Sequence, residues 1–250
     1  MQCPTRAGRR ILLVTAVAAE RDAVARALDG PGFDIPFAAG TLHRVRTHRC
    51  TVDLLAAGVG PAAAAVSTAT ALTTAALTAV AYDLVICVGI GGGFQPGAPV
   101  GSLVVADELV AADLGAETAE GFVPLSELGF GTVAYLPDPE LVREVASVTG
   151  ARRGCVLTVS TVTGSERRAA ELRSAHPLAL VEAMEGFGVA EAGAAADCPV
   201  LELRAVSNPV GHRDRASWRV AEALAALTAA VGSLAPALER LACRAARPAG

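Results

Sequence analysis

The apolar positions of this chain fall into short continuous runs, separated by glycine-rich turns and by small-residue stretches with helical spacing. Residues 10–17 are such a run, and residues 20–28 follow with helical periodicity, predicting a first parallel strand, a turn and a helix. Residues 44–47 and 51–57 read as a strand pair. Gly58 and Gly60 come next, then a predicted helix over 61–79 with Pro61 where the first turn tolerates it. Residues 84–88 form a short apolar run rich in β-branched residues, the mark of a strand buried on both faces. That run empties into Gly89-Ile90-Gly91-Gly92-Gly93. Further strands are predicted over 100–108, 154–160 and 200–206. Helices are predicted over 138–148, 185–196 and 217–246, the last with a kink at Pro236. Residues 113–135 are glycine-rich and read as irregular. The alternation predicts an α/β fold: a single domain over residues 10–250 with a mixed, mostly parallel central sheet flanked by helices. Residues 1–9 read as a short mobile leader.

Composition changes this picture at three points. Hydrophobic residues make up 52% of the chain, but much of the excess is alanine. The longest apolar stretch, 61–81, is broken by Ser67, Thr68, Thr70, Thr73, Thr74 and Thr78, which suits a buried helix and predicts no membrane partner. Arg6, Arg9 and Arg10 before the apolar run 11–19 imitate a signal peptide. The strand reading is preferred, because removing this run would delete the element that carries Glu20. The net charge of −4 is spread along the chain with no basic stripe, which argues against nucleic acid as a partner. The six cysteines lie far apart, without Cys-x-x-Cys or a His at metal-ligand spacing. They predict no metal site and reduced, mostly buried thiols in a cytoplasmic protein.

Candidate chemistry gathers in residues 181–208. Met184 and Glu185 open a small-residue helix, and the strand over 200–206 delivers Ser207 and Asn208 at its carboxyl end. Ligands of open α/β sheets bind beyond those ends, so these groups and Glu20, just past the first strand, are candidates for one cleft. This suggests a small-molecule enzyme. The segment Gly58-Val59-Gly60-Pro61-Ala62-Ala63 has the G-x-G-x-x-A form of a dinucleotide fingerprint. It does not follow the first strand, however, and Asp83 falls at the end of the next helix, where a ribose would not meet it. The run at 89–93 demands more than turn chemistry, because consecutive glycines cost chain entropy unless backbone must approach something closely. The N–H groups there, Gly91 and Gly92 in particular, are candidates to hold a ribose, a phosphate or a water; a purely structural tight turn is the alternative.

The order TAVAAE, AGVGPAAAA, VGIGGGF, TVTGSERRAAEL, the Met-Glu pair and RAVSN resembles the nucleoside phosphorylase superfamily along nearly the whole chain. It is similar to the nucleosidase branch, which includes the methylthioadenosine/adenosylhomocysteine nucleosidases and the futalosine hydrolases of menaquinone biosynthesis. The resemblance implies that Glu20 orients and activates an attacking water, where phosphorylases place arginines for phosphate. A carboxylate would repel phosphate, which favours hydrolysis. Arg21 beside it reads as a solvated surface charge. Glu185 matches the carboxylate that grips the ribose hydroxyls, with Met184 packed on the sugar face, and Glu182 is expected on the exposed side. Thr161, Val162 and Thr163 align with the segment whose backbone reads the base edge. Adenine-specific relatives carry a stacking aromatic at the position of Thr161, so Phe94 or Phe187 is a candidate to cover the base instead, the alternative being that both rings are core.

Asn208 is the most discriminating departure, since adenine nucleosidases have there an aspartate that serves as the acid for purine N7. An amide does not titrate, but its carbonyl accepts from N7–H while its NH₂ donates to a 6-oxo group. The resemblance therefore implies hydrolysis of a 6-oxopurine nucleoside, futalosine, with hypoxanthine as the leaving group. It implies no metal or organic cofactor, and a homodimer or higher homo-oligomer. His212, Arg213 and Asp214 form a polar loop that either meets the substrate's acidic aromatic tail or is a solvated connection.

Overall fold

A computed structural model describes residues 8–246. The first strand, β1 (Arg9–Thr15), starts where two arginines find carboxylates on neighbouring elements. Arg9 Nη1 lies 2.6 Å from Asp83 Oδ1, and Arg10 donates from Nε and Nη2 to Asp53 Oδ2 at 3.1 and 2.7 Å. Arg9 thus belongs to the sheet, while residues 1–7 of the expected leader lie outside the described residues. Helix α1 (Ala18–Ala25) follows directly. The next three strands are β2 (Gly32–Phe37), β3 (Gly40–Arg46) and β4 (Cys50–Ala56). β2 was not legible in the sequence, because as an edge strand carrying Pro36 and an exposed Phe33 it has no continuous buried face.

Helix α2 (Pro61–Leu77) leads to β5 (Leu84–Gly93) and β6 (Leu103–Ala111). The stretch expected to be irregular contains a hairpin, β7 (Gly115–Thr118) with β8 (Gly121–Pro124), and the two-residue β9 (Ala134–Tyr135). Then come α3 (Pro139–Thr149), capped by the Asp138 carboxylate, β10 (Arg152–Thr158), α4 (Glu166–Ala175) and β11 (Ala179–Ala183). The chain finishes with α5 (Gly186–Ala195), β12 (Val200–Pro209), α6 (Val220–Leu234) and α7 (Leu238–Ala245). The break between the last two falls at Pro236, as the missing N–H of proline requires.

The main sheet runs β11-β10-β6-β12-β5-β1-β4-β3-β2, with β9 beside β6. The pairs β11–β10, β10–β6, β12–β5, β5–β1 and β1–β4 are parallel; β6–β12, β4–β3 and β3–β2 are antiparallel. β5 is long enough to pair again, antiparallel, with β11 at Gly92 and Gly93, so five strands close on themselves. This corrects the tight-turn alternative for the glycine run: it is strand, and a side chain there would collide. A Cβ on Gly91 would lie 2.6 Å from Val181 Cγ1, and one on Gly93 would lie 2.1 Å from the Ala98 carbonyl oxygen.

Helices cover both faces. One apolar cluster joins β1, β4, β5 and β12 to α1, α3, α6 and α7; another packs α2 and α5 on the opposite side. Among the described residues one helical stretch, Val220–Ala245, has the length and composition of a membrane span. Ala223, Leu227, Val231, Leu234, Leu238 and Leu241 of that stretch are buried against the sheet, which accounts for its hydrophobicity.

Candidate active site

Glu20 sits in the first turn of α1, and its carboxylate turns back toward the end of β1. Its Oε2 accepts from the N–H groups of Ala16 and Val17 at 3.0 and 3.3 Å, and Oε1 accepts from Ile90 N–H at 2.9 Å. Three backbone donors, two from the turn after β1 and one from β5, therefore fix a buried acid toward the carboxyl ends of β1 and β5. Glu185 occupies the N-cap of α5, directly after β11. Its Oε2 is 3.2 Å from Arg204 Nη1, and its Oε1 accepts from Gly60 N–H at 3.4 Å. The glycine pair that resembles a dinucleotide fingerprint thus brings backbone up to this carboxylate, while Asp83 is occupied with Arg9 and the N–H of Arg10.

Arg204 on β12, absent from the candidates above, is a charge at the centre of the site and is 1% exposed. Its Nε donates to Glu202 Oε1 at 2.8 Å, Nη2 to Cys87 Sγ at 3.1 Å and Nη1 to the Ile90 carbonyl at 3.4 Å. A Cβ on Gly89 would fall 2.5 Å from Arg204 Nη1 and 2.9 Å from Glu20 Oε1, so this glycine leaves room for both charged groups. Glu202 keeps one oxygen, Oε2, buried without a partner among the described residues. Burial raises its carboxyl above the usual range, against the opposing charge and hydrogen bond of Arg204.

β12 carries a bulge at its end: Val206 pairs with Gly91 and Asn208 with Gly92, leaving Ser207 as the extra residue. Ser207 Oγ is 3.2 Å from the Gly91 carbonyl and 2.8 Å from Asn208 Oδ1, while Asn208 Nδ2 donates to the Pro209 carbonyl at 3.0 Å. Beyond the strand the chain loops outward and returns, because Arg219 N–H donates to the Ser207 carbonyl at 2.8 Å. That return places Trp218 beside the strand end, with the Arg213 guanidinium 5.0 Å from its ring centre.

Glu20, Gly91, Gly92, Val162, Thr163, Met184, Glu185, Ser207 and Asn208 all line one cleft of about 330 Å³, together with Glu182, Arg213 and Trp218. Three of the expected residues do not. Phe94 is buried among Val110, Leu157 and Val210, and Phe187 is buried against Tyr135, their ring centres 5.5 Å apart. Thr161 is exposed and does not line the cleft. The expectation of a phenylalanine over the base is therefore corrected: both rings are core, and the aromatic side chain lining the cleft is Trp218. Glu182 is a second correction. Expected on the exposed side, it is 3% exposed, its Oε1 accepting from Thr163 N–H at 2.8 Å and its Oε2 from the Thr163 hydroxyl. Arg21 pairs with Asp22 at the surface, 2.7 Å away, and takes no part in the cleft.

Among the described residues, larger hollows of about 520 and 930 Å³ do not gather such a set. The first is walled by Arg10 and Arg44, both already paired with the buried Asp53; the second lies between the β7–β8 hairpin and α4. Among the described residues no group of three or more His, Cys, Asp or Glu side chains is disposed to hold a metal ion.

The family model of the phosphorylase superfamily matches residues 10–242, which takes in every element that builds the cleft. The chain belongs to this superfamily. Within the phosphorylase superfamily, a futalosine hydrolase of Streptomyces coelicolor is 67% identical over 229 residues, covering 92% of this chain and 96% of its own. A futalosine hydrolase of Acidothermus cellulolyticus is 47% identical over 234 residues, 90% of each chain. Among solved structures, a methylthioadenosine/adenosylhomocysteine nucleosidase of Colwellia psychrerythraea in complex with adenine superposes with a TM-score of 0.78 at 22% identity, covering 92% of this chain and 95% of its own. A futalosine hydrolase of Helicobacter pylori superposes with a TM-score of 0.78 at 18% identity, covering 92% and 98%. Likeness at that level of identity concerns the fold.

Arg204 and Glu202 carried a signal that could have been found: two charges within the otherwise apolar strand Leu-Glu-Leu-Arg-Ala-Val, which a buried strand tolerates only if they pair. Trp218 carried none, since the loop return that brings it to the cleft has no local pattern.

Proposed function

We propose that the chain is a futalosine hydrolase, cleaving the N-ribosidic bond with water to release hypoxanthine and dehypoxanthine futalosine. The observation that carries this reading is the meeting of two buried acids, Glu20 and Glu185, with Asn208 in one cleft. Glu20 takes a proton from water as the water oxygen bonds to the anomeric carbon. Glu185 holds the ribose hydroxyls, an interaction that strengthens as the sugar gains oxocarbenium character. Met184 packs on the sugar face. The bond's electron pair leaves with the base, which takes a proton from solvent at N7; the Asn208 carbonyl accepts from that N7–H while the amide NH₂ meets the 6-oxo group. The backbone of Val162 and Thr163 adjoins the base edge. Arg213 and Trp218 at the cleft offer a cation and an aromatic face to the acidic aromatic tail.

Water is favoured over phosphate on electrostatic grounds. Three carboxyl side chains, Glu20, Glu182 and Glu185, line the cleft, and the interior guanidinium of Arg204 is already engaged by Glu185 and Glu202. The reading carries with it a cytoplasmic place in menaquinone biosynthesis and a homodimer or larger homo-oligomer, the latter checked by light scattering of the purified protein. The activity is tested by following base release from futalosine, inosine and methylthioadenosine, each with and without phosphate. Phosphate-independent hypoxanthine release from futalosine is expected. Phosphate-dependent release from inosine, or adenine release from methylthioadenosine in preference to futalosine, would refute the reading.

A further inference from the structure

Glu182 is a buried acid at the cleft to which the reaction above gives no contact with the substrate. It lies on β11 in register with Gly92 of β5, and Asn208 on β12 is in register with the same Gly92 from the other side. With strands spaced about 4.8 Å apart, the two residues stand on the order of 10 Å from each other across one bare position. Both line the cleft. Gly92 leaves the floor between them without a side chain; a Cβ there would lie 3.0 Å from Val210 Cγ2 and 3.3 Å from Asn208 Nδ2. The space between the carboxylate and the amide suits one flat heterocycle.

Resting on the futalosine hydrolase reading, we propose that Glu182 selects a 6-oxopurine over an adenine by accepting a hydrogen bond from N1–H of the bound base. A 6-oxopurine carries a hydrogen on N1, next to the oxo group that meets Asn208. Adenine has a lone pair on N1 and would face the carboxylate with acceptor against acceptor. The bonds of Glu182 suit the role. Both oxygens accept from Thr163, one from its N–H and one from its hydroxyl, so the group is presented as an acceptor, and each oxygen keeps a further lone pair. Among the described residues no cation makes a salt bridge with it; Arg168 acts on it only from a distance, as does Asp113 with the opposite sign. Burial raises this carboxyl above its usual range, and the bonds from Thr163, which favour the ionised form, hold that rise in check. Unpaired buried acids are costly, and a donor on the ligand relieves that cost only when the ligand has one.

The test compares futalosine with its 6-amino analogue, which bears the same tail, in wild type and Glu182→Gln. The glutamine carbonyl still accepts from Thr163 N–H, so the loop stays tied, while its NH₂ turns one acceptor into a donor. The ratio of kcat/KM for the 6-oxo over the 6-amino substrate is expected to fall at least tenfold. Calorimetric binding of free hypoxanthine and adenine supplies an arm independent of turnover, with wild type favouring hypoxanthine and the variant losing that preference. Should Glu182→Gln fail to fold by circular dichroism, Glu182→Asp keeps the charge, withdraws it by one methylene, and is expected to lower the same ratio. An equal fall for both substrates would mean that Glu182 only ties the Thr163 loop, and together with an unchanged preference between the bases it would overturn the proposal. Wild type inert on both nucleosides yet selective for free hypoxanthine through Glu182 would sink the hydrolase reading and leave this one standing.

Discussion

Replacing Arg204 by methionine keeps most of the side-chain volume and removes the one guanidinium that serves two buried acids. Glu202, fully buried, loses its 2.8 Å bond, and Glu185 loses its 3.2 Å ion pair. Breaking a buried pair by removing one partner costs about 3–5 kcal/mol. At roughly 2–4 °C per kcal/mol for a chain of this size, the melting temperature should drop by about 6–20 °C. The loss carries a pH signature. Burial already raises the Glu202 carboxyl, and Arg204 is what opposes the rise. Without Arg204 the folded form holds the Glu202 proton to higher pH than the unfolded chain does. An acid raised on folding loses stability as pH climbs from its unfolded value through its folded one, so the deficit should be smaller near about pH 5 than near about pH 8. Thermal melts of both proteins at the two pH values check this, and Arg204→Met/Glu202→Gln should recover part of the loss at the higher pH. An unchanged melting temperature, or a deficit that does not vary with pH, would refute the account of Arg204 as the counter-charge of this cluster.

Glu20→Gln should reduce base release by at least about a hundredfold, the usual scale for loss of a general base, with the protein still folded by circular dichroism; full turnover would remove Glu20 from the reaction. Asn208→Asp should shift preference toward adenine nucleosides, read as the ratio of kcat/KM for methylthioadenosine over futalosine, and an unmoved ratio would place base choice elsewhere. Asp53 concerns stability alone. It is fully buried and accepts from Arg10, Arg44 and Tyr82, with Arg44 Nε at 2.6 Å and the Tyr82 hydroxyl at 2.6 Å. Burial works to raise its carboxyl, but the bonds from Arg44, Tyr82 and Arg10 outweigh it and hold the group below the usual range. A lowered acid stabilises the fold above its unfolded value, and that contribution is lost as pH falls through the folded one. Asp53→Asn should therefore cost about 3 kcal/mol near neutral pH, with a gap to wild type that narrows below about pH 4; a gap that persists in acid melts would contradict the assignment.

Most of the architecture was readable as local periodicity. The runs that became β1, β5, β6, β10 and β12 are apolar because both faces of those strands are covered, and α2, α5 and α6 show as small-residue stretches because they pack close to the sheet and, for α2 and α5, to each other. On α5, a Cβ on Gly188 would lie 2.1 Å from the Pro61 carbonyl of α2. β2, β7 and β8 escaped notice because they are exposed and pair only with neighbours, which leaves no hydrophobic period.

The cleft divides in the same way. Glu20, Met184, Glu185, Ser207 and Asn208 stand next to strand ends, so adjacency along the chain was enough to nominate them, and the superfamily match over residues 10–242 takes in all five. Where a neighbour came from a distant element, the sequence was silent or misleading. Glu182 looked exposed because nothing local shows that β11 folds back antiparallel onto β5 and encloses it. Phe94 and Phe187 looked available, but the cores on either side of that closure claim both rings. Arg204 meets Glu185, and Trp218 meets the cleft, only after β12 is set beside β5 and the following loop is drawn back to Ser207. Residue types and their periods determine which strands, helices and reactive groups exist, because those depend on a few neighbours along the chain. Which groups share a charge, a wall or a proton depends on strand order and register, which are decided by packing between segments far apart in the sequence.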